Sequence, residues 1–100
     1  MNIARVKKRQ VEIISTSGSH IRTFPSSNVV FADIKSDDKF VLVTYENGRV
    51  ELTNSGGVLL RTITSTGAIS ARFSGDDLTV QYQSGKTETR SESGVLKKTL

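Results

Sequence analysis

The sequence predicts an all-β protein, and three observations carry that prediction. Short stretches rich in Val, Ile, Leu, Phe and Thr recur along the chain, each bounded by turn residues. No segment spaces its apolar residues at i, i+3, i+4 and i+7, as a helix with one buried face would. All eight glycines and the one proline fall between the apolar stretches. About eleven strands are expected, with no helix longer than one turn.

Taken in order, the elements repeat. Val11-Glu12-Ile13 followed by Ser17-Gly18-Ser19-His20-Ile21-Arg22-Thr23-Phe24 recurs 39 residues on as Val50-Glu51-Leu52 followed by Gly56-Gly57-Val58-Leu59-Leu60-Arg61-Thr62-Ile63. It recurs 37 residues further as Thr87-Glu88-Thr89 followed by Ser93-Gly94-Val95-Leu96-Lys97-Lys98-Thr99-Leu100. Between these copies, Ala32–Asp38 pairs with Ala71–Asp77, and Tyr45–Arg49 pairs with Tyr82–Lys86. A fixed period of this size marks a repeated supersecondary unit.

In the middle unit, strands are expected at Val29–Ile34, Phe40–Tyr45, Arg49–Thr53 and Val58–Ile63. Asn47-Gly48 predicts a type I′ hairpin turn with positive φ at both residues, and Ser84-Gly85 holds the same place in the last unit. Pro25 opens the connection between the first two units. Asn2–Val6 aligns with the second strand of the later units, so the first unit lacks an innermost strand. The chain thus divides into a partial unit over 1–24 and full units over 25–63 and 64–100 within a single domain.

Four antiparallel strands in some 38 residues match the size of a propeller blade. Ile69-Ser70-Ala71-Arg72-Phe73-Ser74-Gly75-Asp76-Asp77-Leu78, then Gly85, then Gly94-Val95-Leu96, resembles a WD40-type repeat. The family's Trp-Asp step falls on Thr53-Asn54 and Arg90-Ser91, and its Gly-His pair is missing. The resemblance therefore implies architecture alone: two and a half to three blades per chain, with no functional residue carried over. So few blades cannot close a ring, which predicts a homo-oligomer, most simply a dimer, because open terminal units need a cover. Ile3, Val6, Arg22, Arg72, Glu88 and Leu100 are the candidate contacts. Phe31, Phe40 and Leu42 are expected in the core, and Gln81 and Glu88 outside it.

The net charge of +4 sits in residues 1–22, where five basic side chains face only Glu12; the rest of the chain carries nine of each sign. Arg5, Lys7, Lys8 and Arg9 are therefore candidates for binding an anion, a nucleic acid or an anionic surface. The alternative is a basic edge strand that discourages strand addition. Chemistry is otherwise sparse. The chain has no cysteine and one histidine, His20, which excludes Cys–His nucleophiles and the usual zinc sites. Asp37-Asp38 and Asp76-Asp77 fit turn-forming side chains better than calcium ligands. Tyr45 and Tyr82, being repeat-equivalent, fit packing between units. No catalytic, metal or cofactor residue is assigned. The expectation is a cytoplasmic, non-enzymatic interaction module without a membrane span, with nucleic-acid or anionic-surface binding as the alternative.

Overall fold

The computed structural model describes residues 2–24 and 26–100, so Pro25 and its connection role lie outside the described residues. Those residues form eleven strands and no helix. β1 (Asn2–Lys7), β2 (Gln10–Ser15) and β3 (His20–Thr23) make one antiparallel sheet of three strands. β4 (Val29–Ile34), β5 (Phe40–Tyr45), β6 (Val50–Asn54) and β7 (Leu59–Thr64) make a second sheet, of four. β8 (Ala68–Ser74), β9 (Asp77–Tyr82), β10 (Thr87–Ser91) and β11 (Leu96–Thr99) make a third, again of four. The expected strands at 29–34 and 40–45 match to the residue; the next two begin one residue later than expected.

The middle sheet is enclosed on both faces. Val41 and Val43 join Val11, Ile13, Phe24, Val29, Ala32 and Ile34 in a core shared with the first sheet. Leu42, Val50 and Leu52 join Ala71, Leu78, Val80 and Tyr82 in a core shared with the third. Successive strand residues point to opposite faces, so a strand buried on both sides needs the unbroken apolar run that β5 carries. Leu42 is 0% exposed, as expected. Phe40 and Phe31 are only half-buried, which corrects the expectation for both. Phe40 opens its strand and packs at the margin of the second core. Phe31 lies on the edge strand β4, its ring 4.6 Å from the Arg72 guanidinium. Gln81 is exposed as expected, whereas Glu88 is buried at 5% exposure.

The turn at Asn47-Gly48 also differs from expectation. Gly48 has φ of 86°, but Asn47 is not in the left-handed region. The Gly48 amide donates to the Tyr45 carbonyl at 2.9 Å, and the Tyr45 amide donates to the Arg49 carbonyl at 2.9 Å. This is a three-residue loop, a type I turn closed by a left-handed glycine. Gly18, Gly57, Gly85 and Gly94 close their hairpins with the same pair of bonds. The paired strands need only one left-handed residue there, and glycine supplies it.

The type I′ turn stands elsewhere. Lys8 (φ 52°) and Arg9 (φ 64°) form a two-residue loop between the paired residues Lys7 and Gln10. The tighter loop slips the register of β1 by one. Leu52 pairs with Leu42, and its repeat equivalent Thr89 pairs with Thr79, but Ile13 pairs with Ala4 instead of Ile3. A one-residue slip exchanges the two faces of a strand. Without it, Arg5 and Lys7 would point into the first core. With it, Ala4 packs there, and Ile3, Arg5 and Lys7 turn to the open face.

Candidate functional site

Adjoining sheets meet through a repeated set of contacts. At one end, the Val29 amide donates to the Arg9 carbonyl (3.0 Å), and 39 residues on the Ala68 amide donates to that of Gly48 (3.1 Å). Within the second and third sheets, the amides of Glu46 and Gln83 extend the neighbouring pairings by donating to the carbonyls of Asn28 (2.8 Å) and Gly67 (2.9 Å), which are likewise repeat-equivalent. At the periphery, Phe24 lies 3.1 Å from where a Cβ on Gly57 would stand, and Ile63 lies 3.9 Å from the corresponding point on Gly94. The next pair in this series is Leu100 and Gly18. Leu100 is 68% exposed, and nothing lies within 4 Å of a Cβ on Gly18.

Each sheet also holds one glutamate at the same repeat position. The Tyr45 hydroxyl donates to Glu51 Oε1 at 2.9 Å, and the Tyr82 hydroxyl donates to Glu88 Oε1 at 2.6 Å. Arg49 lies 4.8 Å from the Tyr45 ring centre with Nε 3.1 Å from Glu51 Oε2, close but not aligned for a hydrogen bond. Lys86 repeats the arrangement, 4.5 Å from the Tyr82 ring centre and 3.3 Å from Glu88. Arg90 adds two bonds to Glu88 Oε1, at 3.0 and 2.9 Å. The Tyr82 hydrogen bond, with Arg90 and Lys86 behind it, holds the Glu88 carboxyl below its ordinary value against the opposing effect of burial. Burial, followed by Glu51, pushes the Tyr45 hydroxyl up. In the first sheet Glu12 bonds Arg5 at 2.6 Å, and that bond lowers its pKa.

These networks place several of the candidate residues. Glu88 sits in the junction between the second and third sheets, since it pairs with Val80 of that core. It is therefore not available as a contact between chains. Sequence reasoning missed the network, although the recurring Glu12, Glu51 and Glu88, with Tyr45 and Tyr82, were its visible signal. Arg72 is exposed but spends its guanidinium on Phe31. Arg22 lies over the hairpin of the second sheet, 3.8 Å from a Cβ on Gly56. Ile3 and Val6 are 42% and 36% exposed.

The four basic candidates separate. Arg5 is held by Glu12, and Arg9 forms an ion pair with Glu46. Lys7 and Lys8 are exposed and have no ion pair among the described residues. Around Glu46, the ion-pair partner of Arg9, lies an open polar groove lined also by Ser26, Ser27, Asn28, Tyr45, Asn47 and Arg49. The acidic turns are occupied as well. Asp37 accepts the Lys39 amide at 3.0 Å, Asp76 pairs with Lys35 at 3.2 Å, and Asp77 with Lys97 at 3.0 Å. His20 Nε2 meets Thr23 Oγ1 at 2.9 Å. Among the described residues no group of three or more His, Cys, Asp or Glu side chains could hold a metal ion, and no helix is long and apolar enough to cross a membrane. No protein-family model matches the chain, and no curated relative is found.

Proposed function

We propose that the chain is a non-enzymatic, propeller-type interaction module built from WD40-like blades and completed as a homo-oligomer, most simply a dimer. One observation carries this reading: both junctions between sheets repeat the same backbone hydrogen bond and the same glycine contact. A repeat whose junctions are alike extends by adding further units, and its terminal faces stay open until something covers them. Leu100 and the Gly18 hairpin are the two halves of one more such junction. Glu12 supports it as well. It is 8% exposed and stands on the open face of the first sheet, where Glu51 and Glu88 occupy closed junctions. The face offered by the third sheet carries Thr79, Gln81, Thr87 and Thr89, where the middle sheet has Leu42, Thr44, Val50 and Leu52. A junction between chains is therefore hydrogen-bonded more than apolar. Light scattering at micromolar concentration tests the reading: an integral multiple of the 10.9 kDa chain supports it, and a folded monomer refutes it.

A further inference from the structure

We infer that the free edge of β1 is a docking site for an extended segment of another polypeptide, one that alternates aliphatic with acidic residues. The inference rests on the interaction-module reading, but it concerns an edge that ring closure leaves untouched.

The second and third sheets each carry a strand, β4 or β8, antiparallel to the repeat equivalent of β1, whereas among the described residues the first sheet carries none there. β1 pairs only with β2 among the described residues. The two-residue hairpin makes Lys7 and Gln10 a hydrogen-bonded pair, so Arg5–Glu12 and Ile3–Ile14 exchange bonds in turn. The amides of Ala4 and Val6 then point to the unpaired edge. The Asn2 amide, next in that alternation, donates away from β2, to Asp38 Oδ1 at 2.8 Å. The edge is thus a hydrogen-bonding template anchored at one end on the middle sheet.

Its side chains state what pairs with it. Ala4 packs on the first core, and Val6, two residues on, shares that face of β1. An added strand therefore places aliphatic residues beside these two. On the other face stand Arg5, already bonded to Glu12, and Lys7, which has no ion pair among the described residues. Acidic residues beside them complete the pairing. Cations on an edge strand repel basic strands and would be left desolvated and unpaired beside apolar ones, so the same residues that guard the edge also select an acidic partner. A second copy is the poorer occupant, because its own β1 edge carries the same Arg5 and Lys7, and like charges set side by side across a strand pair are destabilising.

The test uses the full chain and two synthetic peptides, one alternating Val or Ile with Glu, the other with Lys in place of Glu. The acidic peptide is expected to slow amide hydrogen exchange at Ala4 and Val6, and the basic one to leave it unchanged. Val6→Pro removes an edge-facing amide without touching the β1–β2 bonds, and should weaken binding about tenfold. Lys7→Glu leaves the fold intact and should weaken it about two- to fivefold. Equal binding of both peptides, or unchanged exchange at Ala4 and Val6, overturns the inference. Concentration-dependent protection of those amides without peptide overturns it too, by making a second copy the occupant. Because these readouts follow the edge and not the mass, failure of the ring leaves the test intact.

Discussion

Glu88 is the residue whose surroundings govern most. Three donors converge on it from Tyr82, Arg90 and Lys86, and together they hold its carboxyl below the ordinary value of 4.5. A group with a depressed folded pKa adds stability that is fully present above its ordinary value and lost as pH falls through the lowered one. Thermal unfolding should therefore be flat above about pH 4.5 and fall in more acidic buffer, with Glu12 acting in the same direction. Glu88→Gln should cost about 1–3 kcal/mol at neutral pH and shallow out the acid limb. A second pair of substitutions separates backbone strain from crowding. Gly48 and Gly85 have φ of 86° and 93°, but a Cβ on Gly48 would stand 2.2 Å from the Gly67 amide nitrogen, while nothing lies within 4 Å at Gly85. Gly85→Ala should cost about 1–2 kcal/mol for its left-handed conformation alone, and Gly48→Ala distinctly more, as read from denaturant midpoints. The glutamate positions were legible in the sequence as a repeat. Their burial was not: Thr87–Ser91 is polar at every position, so only the neighbouring sheet decides which side is inside.

At the scale of the element, strand positions and hairpin glycines were legible because alternation and turn chemistry are local. Turn type was not. The same five-residue spacing from Tyr45 to Arg49 admits a two- or a three-residue loop, and the choice follows from what the strand faces can bury. β5 is apolar on both faces and accepts the three-residue loop. β1 alternates Ala4, Arg5, Val6 and Lys7, and only the slipped register keeps its cations out of the core. The cost falls on Lys8 and Arg9, two side chains in left-handed conformations. Replacing them together with Asn and Gly, which suit a type I′ turn, should stabilise the chain by about 1 kcal/mol. The lost Arg9–Glu46 pair subtracts little, since both side chains are more than half exposed. An unchanged or lower melting temperature would show that the turn is not strained. Leu42→Ala, at the centre of the enclosed sheet, should cost about 2–5 kcal/mol, whereas Phe31→Ala, half-buried at an edge, should cost less.

The whole molecule is three stacked sheets with two unlike ends. One end offers Glu12 and Arg5 with Ile3, and the other offers threonines and Gln81 with Leu100 at its margin. Neither end resembles the inner faces, where valines and leucines seal each junction. Exposed ion pairs contribute about 0–1 kcal/mol each, so a contact between these ends depends on whatever apolar surface accompanies them. In the proposed oligomer, Leu100 over the Gly18 hairpin would be that surface, in the place that Phe24 holds over Gly57 within the chain. Leu100→Glu sits on an exposed side chain and leaves both cores untouched, so it should convert a dimer to folded monomers without lowering the melting temperature of the monomer. Deleting residues 1–10 removes β1 as well, and should give monomers or aggregates. If Leu100→Glu keeps the mass of the unaltered oligomer, chains associate through some other face. If the unaltered chain is itself a folded monomer at micromolar concentration, the polar ends face water, as the capping faces of a short repeat array do.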